Sequence, residues 1–244
     1  MFDTIILLTG SVEEDALSTA LLRQNPHLRL LPVQTRDELN AVEPRQLRRA
    51  RLISFASSVI VPAHILSRLG YGAYNFHPGP PNYPGWAPSH FAVYDRATSF
   101  GVTAHVMLDK VDSGPIIAID LFDVPVATSA ESLEAMAYTR MARQFFALAK
   151  PFASSPDALP VLPVQWCGHK STRRHCAELC NIPLDITRDE LERRMAAFGD
   201  GRLGVKPTIT LHGRQFRYGG AETAAAVETA EVAAQSQMVT TVPA

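Results

Sequence analysis

The sequence predicts an α/β fold with a mostly parallel sheet covered by helices on both faces, followed by a small appendage. Two observations lead to this prediction. Up to about residue 150, short apolar runs of strand length alternate with stretches of helical character. The chain has 244 residues, 46% hydrophobic and 19% charged, which suits one core of ordinary size and a smaller part. Ligands of such sheets bind beyond the carboxyl ends of the strands.

The elements of the core are predicted from apolar runs, helix caps and turn residues. The predicted strands cover residues 4–8, 28–33, 52–61, 73–77, 101–108 and 115–124. The predicted helices cover residues 11–23, 36–49, 63–69, 88–94 and 130–149. Capping boxes at Ser11 with Glu14 and at Thr128 with Glu131 are expected to open the first and last helices, and Pro151 to follow the last one.

Three segments organise the chain. Residues 1–150 are the expected core, residues 151–220 a small C-terminal appendage, and residues 221–244 a tail of low complexity. A linker rich in Pro and Ser opens the appendage, and a helix at 188–198 follows, capped by Thr187 and stopped at Gly199. Residues 208–218 predict a hairpin that turns at Gly213. The tail lacks aromatic residues and is expected to be disordered or loosely helical.

Charge and cysteine content narrow the class of protein. Lys and Arg total 23 against 24 acidic residues, so the net charge of −1 gives no general attraction to nucleic acid or an anionic membrane. The sequence holds no apolar run of about 20 residues and no secretory signal pattern at its start, so we expect a cytoplasmic protein without a membrane span. The three cysteines lie between residues 167 and 180, which argues against a disulfide framework.

The stretch NFHPGPPNYPGW at residues 75–86 places two polar side chains at the end of a strand. Asn75 and His77 are two residues apart and therefore point to the same face of the sheet. The prolines and glycines after them end the strand and stiffen a loop that leaves both side chains exposed in a cleft. From spacing alone, a structural histidine beside a turn asparagine is an equal alternative.

A second strand with polar residues adds a carboxylate to this pair. The strand at residues 101–108 carries His105, and the turn after it carries Asp112. An amide, an imidazole and a carboxylate are the groups that acyl transfer to an amine requires. Asn75 and a protonated His77 could donate hydrogen bonds to the oxyanion, and Asp112 could raise the pKa of the imidazole, fix its tautomer and help move a proton. A serine hydrolase built on Ser89 and His90 is disfavoured because no G-x-S-x-G motif is present.

Three sequence blocks between about residues 50 and 125 carry a resemblance to a known family. They are N-x-H-P at 75–78 with Y-P-G at 83–85, G-V-T-A-H at 101–105, and D-S-G-P-I at 112–116. The chain resembles the folate-dependent formyltransferases, closest in layout to nucleotide-sugar N-formyltransferases and similar also to methionyl-tRNA and glycinamide ribonucleotide formyltransferases. The resemblance implies a Rossmann-like sheet, 10-formyltetrahydrofolate as the formyl donor, and catalytic roles for Asn75, His77 and Asp112.

The resemblance also implies where the donor binds. Residues 53–62 fall where such enzymes hold the pterin, largely through backbone groups, and residues 107–112 would form the opposite wall. The candidate donor contacts are Ser58, Ile60, His105, Met107, Asp109 and Gly114. No metal is expected in the reaction.

We therefore expect an enzyme that transfers a formyl group to a primary amine of a small acceptor. A nucleotide-linked amino sugar is favoured because the short appendage with its hairpin resembles that of nucleotide-sugar formyltransferases, whereas the methionyl-tRNA enzymes carry a larger basic barrel. The alternatives are methionyl-tRNA or glycinamide ribonucleotide formyltransferase activity, a catalytically silent folate-binding relative, and a zinc-stabilised interaction module at residues 167–180. Nucleic acid and membrane are not expected partners, and the hairpin offers a surface that could pair two subunits.

Basic and aromatic residues outside these blocks leave further alternatives. Lys170, Arg173 and Arg174 belong either to a solvated turn or to a site for a diphosphate or the folate glutamate. A second basic group is interpreted as a helix face exposed to water, and it consists of Arg45, Arg48, Arg49 and Arg51. Trp86 and Trp166 are expected to pack in the core or a loop, with stacking on a ligand as the alternative.

Overall fold

The computed structural model describes residues 1–219, and its secondary structure follows the alternation that the sequence predicts. The core strands are β1 (Thr4–Leu8), β2 (Arg29–Val33), β3 (Ala50–Phe55), β4 (Ala73–His77), β5 (Ser99–Val106) and β6 (Ile116–Asp123). The core helices are α1 (Ser11–Gln24), α2 (Arg36–Ala41), α3 (Pro44–Leu47), α4 (Ala63–Leu66), α5 (Pro88–Tyr94) and α6 (Ala130–Ser154).

The six core strands form one sheet in the order β2-β1-β3-β4-β5-β6. The first four of these strands pair in parallel, whereas β5 and β6 join as antiparallel strands at one edge. Helices and connecting segments cover both faces of the sheet, because parallel strands have to be joined by crossover connections. The predicted α/β class with a mostly parallel sheet is confirmed.

The two faces of the sheet differ in what covers them. On the first face, Tyr74 and Phe76 of β4 pack against Phe145 and Phe152 of α6 in the larger apolar cluster. On the second face, α2, α3 and α4 pack on β1 and β3 in a smaller cluster. Alternate residues of a strand point to opposite faces. Asn75 and His77 therefore lie on the second face, beyond the part covered by α2–α4.

Several predicted boundaries are wrong, and each has a local cause. The strand predicted at 52–61 ends at Phe55, and residues 56–62 form a connection in which Ala56 has a positive φ of 50°. Pro44 divides the helix predicted at 36–49 because it begins a new helix more readily than it continues one. The N-cap residue of α1 is Gly10, so no side chain caps this helix. Helix α6 is capped by Ser129, whose side chain accepts a hydrogen bond from the Ser132 amide.

The long helix α6 runs through Pro151 to Ser154, and a buried arginine explains how it ends there. Arg51 of β3 is 0% exposed, so its assignment to a solvent-exposed helix face is wrong. Its guanidinium donates to the backbone carbonyls of Pro151, Phe152, Ser155, Asp157 and Tyr71. The last carbonyls of a helix lack partners within the helix and carry partial negative charge. Arg51 supplies both the donors and the positive charge that they need.

The appendage holds two helices and a second, three-stranded sheet. Its elements are α7 (Arg173–Cys180), β7 (Asn181–Ile182), α8 (Arg188–Phe198), β8 (Thr208–Leu211) and β9 (Arg214–Arg217). Helix α8 and the hairpin of β8 and β9 are confirmed, with Thr187 accepting from the Glu190 amide as the N-cap. Helix α7 was not predicted, and its eight residues include two arginines and a histidine. Thr172 caps this helix, and Cys176 and Cys180 are its buried residues together with Leu179.

Some predictions about organisation stay predictions. Helix α6 crosses the core boundary placed at residue 150, and the tail predicted at 221–244 lies outside the described residues. The hairpin exposes Ile209, Leu211 and Phe216, but pairing of two subunits through it is untested. Within residues 1–219, no helix is both long enough and apolar enough to span a membrane.

Candidate functional site

The predicted polar residues of β4 and β5 meet on the second face of the sheet. Asn75 pairs with His105 and His77 with Thr103 across the two antiparallel strands, so all four side chains share this face. The amide nitrogen Nδ2 of Asn75 lies 3.2 Å from Nε2 of His105. The other ring nitrogen of His105, Nδ1, lies 2.9 Å from the Val106 carbonyl oxygen, which can only accept a hydrogen bond.

Asp112 reaches the same cluster from the connection between β5 and β6. Its backbone has a φ of 46°, in the left-handed region that Asp tolerates better than most residues. One carboxylate oxygen, Oδ2, lies 3.5 Å from Nδ1 of His77, and the other, Oδ1, lies 3.4 Å from Nε2 of His105. Asp112 is 6% exposed and His77 is 4% exposed. The three predicted catalytic side chains thus lie within one buried cluster.

The loop after β4 supplies two backbone groups that hold the cluster. The Tyr83 carbonyl accepts a hydrogen bond from Nε2 of His77 at 2.9 Å, and the Gly85 amide donates to Oδ2 of Asp112 at 2.8 Å. Gly85 has a φ of 101°, and a side chain there would come within 2.3 Å of the Ser171 carbonyl oxygen. The glycine of the Y-P-G motif is therefore required by a close backbone contact as well as by its conformation.

Burial and hydrogen bonding set the protonation of the cluster. Burial lowers the pKa of His77, and this effect exceeds the opposing influence of the Asp112 charge and the Tyr83 carbonyl. Burial by itself would raise the pKa of Asp112, but the bond to His105, the proximity of His77 and the Gly85 amide together lower it. The resting cluster thus pairs a carboxylate with a neutral imidazole. Both ring nitrogens of His77 face oxygen acceptors, so an added proton would find a partner.

The 162–171 segment of the appendage crosses over the cluster. Its backbone bonds to Ile116 through Leu162, to Pro81 through Cys167, and to Pro84 through Ser171. The Ser171 hydroxyl, which is buried, bonds to the carbonyls of Pro84 and Trp86. These contacts fix residues 83–86, the same stretch whose backbone binds His77 and Asp112.

Trp166, within the 162–171 segment, lies against both imidazoles. Its ring centroid is 5.5 Å from that of His77 and 5.0 Å from that of His105, in edge-to-face arrangements. Its indole nitrogen donates to the Gly114 carbonyl at 2.8 Å. The expectation that Trp166 packs in the core or a loop is therefore confirmed, and its packing partners are two imidazoles of the cluster.

A cavity of about 940 Å³ lies between residues 108–115 and the 162–171 segment. Of the three predicted catalytic residues, Asp112 is the one that borders it, together with Gly114, Trp166, Lys110 and Lys170. His77 lies behind Asp112 and Trp166, and neither His77 nor Asn75 borders the cavity. The volume is within the range of small-molecule sites, and the carboxylate is the catalytic candidate that a ligand there would meet first.

The predicted donor contacts are not all brought together. His105 belongs to the cluster, and Gly114 borders the cavity. Met107 is partly buried against the smaller apolar cluster, whereas Asp109 is exposed in the loop before Asp112. Ser58 and Ile60 are exposed after β3, Ile60 at 65%, and neither borders the cavity. Their contact with a donor stays a prediction.

Sequence reasoning did not assign the backbone of Tyr83 and Gly85 or the Ser171 hydroxyl. Backbone partners leave no residue-type signal, although the glycine in Y-P-G marked the position. The alternative of a zinc site concerns residues 167–180. Cys176 and Cys180 are buried in an apolar cluster with Phe91 and Phe198, whereas Cys167 is exposed. In the part of the chain that the structure describes, no group of three His, Cys, Asp or Glu residues is placed to hold a metal ion.

Comparison with known proteins now adds to this geometry. The family model described as "Formyl transferase" matches residues 26–144, which include Asn75, His77, His105 and Asp112. A methionyl-tRNA formyltransferase of Listeria welshimeri is 34% identical to this chain over 114 residues, or 46% of the chain. A dTDP-4-amino-4,6-dideoxyglucose formyltransferase of Mycobacterium bovis is 33% identical over 124 residues, or 47% of it. The matches cover 35% of the Listeria protein and 52% of the mycobacterial one.

Solved structures share the fold of this chain over most of its length. A sugar N-formyltransferase from Shewanella aligns with a TM-score of 0.68 at 14% identity, covering 89% of this chain and 96% of that one. An N-formyltransferase from Helicobacter canadensis, in complex with folinic acid and dTDP-3-aminofucose, aligns with a TM-score of 0.60 at 14% identity, covering 87% and 85%. At such identities the alignments show a common fold.

Proposed function

We propose that this chain transfers a formyl group from 10-formyltetrahydrofolate to the primary amine of a small acceptor. The observation that carries the proposal is the convergence of Asn75, His77 and Asp112 beside a cavity, with Nδ1 of His77 3.5 Å from Oδ2 of Asp112. This convergence occurs within a formyl transferase fold. Amide, imidazole and carboxylate together supply hydrogen-bond donors and a proton acceptor without a covalent nucleophile.

In the proposed reaction, the amine nitrogen attacks the formyl carbon and a negatively charged oxygen develops. Asn75 has one amide hydrogen directed to His105 and a second that is free for this oxygen. The carbon–nitrogen bond to the folate then breaks, and tetrahydrofolate leaves with the proton that the amine releases. Asp112, whose low pKa keeps it ionised, is placed to take that proton first because it borders the cavity.

His77 completes the proposed proton relay. A proton passed from Asp112 to Nδ1 would give an imidazolium whose two N–H groups face Asp112 and the Tyr83 carbonyl. The imidazolium would then be available to protonate the leaving nitrogen. Direct contact between His77 and the formyl group requires the Trp166 ring to move, since this ring lies against the imidazole.

For the acceptor, we propose an amino sugar carried on a nucleotide. Two comparisons support it: the mycobacterial relative is named for a dTDP-amino sugar, and the Helicobacter structure contains folinic acid and dTDP-3-aminofucose. The cavity of about 940 Å³ is also large enough for such a ligand.

A methionyl-tRNA acceptor is the second candidate, because the Listeria relative carries that name. The described residues after 150 are two short helices and a small sheet, and among them the basic side chains of α7 and α8 mostly pair with acidic neighbours. Such pairing leaves little positive charge for phosphate contacts. A silent folate-binding relative is the third possibility to test.

The test is incubation of the protein with 10-formyltetrahydrofolate and a panel of acceptors, with mass spectrometry of the products. The panel contains dTDP-linked amino sugars, glycinamide ribonucleotide and methionyl-tRNA. We expect a mass gain of one formyl group on an amino sugar. His77→Ala should abolish turnover while circular dichroism shows a retained fold. The matched control is His64→Ala, at an exposed position of α4.

Three results would change the proposal. Formylation of methionyl-tRNA alone would show that the acceptor is methionyl-tRNA and not an amino sugar. Tight folate binding without transfer to any acceptor would favour the silent relative. Full activity of the His77→Ala protein would remove the proposed catalytic role of the cluster.

A further inference from the structure

The cavity beside Asp112 carries more positive charge than the catalytic cluster uses. Its charged lining residues are Asp112, Lys110 and Lys170. The Asp112 carboxylate already has the Gly85 amide and two imidazoles as partners. The two lysine ammonium groups are therefore the charged groups of this cavity that can still bind a ligand.

The ammonium group of Lys170 is held at the loop that carries Lys110. Nζ of Lys170 donates to the Val111 carbonyl, in the residue next to Lys110. An ammonium group has three donors, so one bond to a carbonyl leaves two hydrogens free. Among the described residues, neither Lys110 nor Lys170 lies within 4.0 Å of a carboxylate oxygen.

The position of this pair suits an anion that is remote from the reacting atoms. Lys170 belongs to the 162–171 segment and Lys110 to the loop of Asp112, so two segments each bring one lysine to the lining of the same cavity. Leu108, Pro163 and Trp166 add apolar surface to the same lining. A ligand with a flat or apolar body and an anionic end would match this arrangement, because binding energy from remote groups can orient the reacting ones.

We propose that Lys110 and Lys170 form an anion-binding site that anchors a phosphate or carboxylate of one substrate while its reacting group meets the Asp112 cluster. The inference rests on the proposed function and deepens it, since the anion belongs either to the diphosphate of a nucleotide-linked acceptor or to the glutamate of the folate donor. Both sources share the chemistry of an oxyanion that accepts hydrogen bonds from ammonium groups.

Binding measurements test this site without relying on turnover. Isothermal titration calorimetry with dTDP and with folinic acid as separate probes compares wild type, Lys110→Gln, Lys170→Gln and the double variant. Lys150→Gln, an exposed lysine of α6, is the control for loss of one positive charge elsewhere. We expect each cavity variant to weaken one probe about tenfold, the scale of one charge-assisted hydrogen bond, and Lys150→Gln to leave both unchanged.

The two probes separate the sources of the anion. A loss confined to dTDP assigns the site to the acceptor diphosphate, and a loss confined to folinic acid assigns it to the donor carboxylates. The weakened probe should also bind wild type less tightly as salt is raised, and this salt dependence should be reduced in the double variant.

The outcomes distinguish failure of the site from failure of the proposed function. Unchanged affinities for both probes in the double variant, with formyl transfer intact, would overturn the anion site and leave the activity standing. A wild-type protein that binds neither probe and transfers no formyl group would overturn both. Equal weakening by Lys150→Gln would show that net charge rather than the cavity is responsible.

Discussion

Arg51 and Asp112 are both charged and both buried, but their surroundings differ. Arg51 lies in the core, where its guanidinium donates to five backbone carbonyls and stacks on the rings of Phe2 and Tyr74. Asp112 lies at the edge of a cavity, where one backbone amide and two imidazoles approach its carboxylate. The first site is built from fixed backbone acceptors, and the second from groups that can exchange protons.

This difference separates a structural role from a chemical one. A buried charge whose partners are all backbone carbonyls cannot lose or pass on a proton at neutral pH, so it contributes to stability and to the ending of α6. A carboxylate between two imidazoles and open to a cavity has partners that can accept and release protons. Substitutions at the two sites should therefore affect different measurements.

The largest expected effect is on turnover. Asp112→Asn should lower kcat about a thousandfold, because the amide removes the charge that orients both imidazoles and the group that takes the amine proton. The free energy of unfolding should change little, since the Gly85 amide keeps an oxygen acceptor. Asp185→Asn, at an exposed position of the appendage outside the proposed sites, is the control. Equal losses of activity in both variants would contradict the special position of Asp112.

The next effect is on stability. Arg51→Met should lower the free energy of unfolding by about 3–5 kcal/mol, because the carbonyls at the end of α6 lose their buried donors. Urea denaturation measures this change, with Arg45→Met, at an exposed position of α3, as the control. Turnover per folded molecule should stay within about twofold of wild type. A stable Arg51→Met protein with reduced kcat would break the division between the two sites.

The smallest effect is the pH dependence of stability. The folded pKa of His77 is below its ordinary 6.5, so the unfolded chain binds a proton first as the pH falls. Stability contributed by this histidine is therefore present above pH 6.5 and is lost below it, by up to about 1.4 kcal/mol per pH unit. Asp112 acts in the same direction below 3.8, where the unfolded carboxylate gains its proton before the folded one.

His77→Gln should flatten the fall in stability between about pH 6.5 and 5, measured by urea denaturation at a series of pH values. Buried His90, whose pKa is also lowered by burial, should keep part of the slope. His64→Gln controls for the substitution itself. A profile of His77→Gln that superimposes on wild type would show that the folded and unfolded chains bind this proton at the same pH.

Local sequence signals predicted much of the framework. Strand β4 and helices α5 and α8 have the predicted boundaries, because apolar alternation, Pro88 and the Thr187 cap are short-range signals. Prediction was wrong where a distant partner decides. The sequence predicts that Pro151 follows the end of α6, but the helix includes Pro151, and Arg51, a hundred residues earlier in the chain, binds the carbonyls at its actual end.

The sequence by itself determined the α/β alternation and the presence of Asn75, His77 and Asp112 at strand ends, since these depend on side-chain periodicity and residue type. Only the tertiary structure decided how the three meet. Asp112 needs a left-handed backbone conformation and the Gly85 amide to approach His77, and the 162–171 segment places Trp166 on two imidazoles and Lys170 at the cavity. Such contacts join residues far apart in the chain through backbone groups that every residue type shares, so no local pattern encodes them.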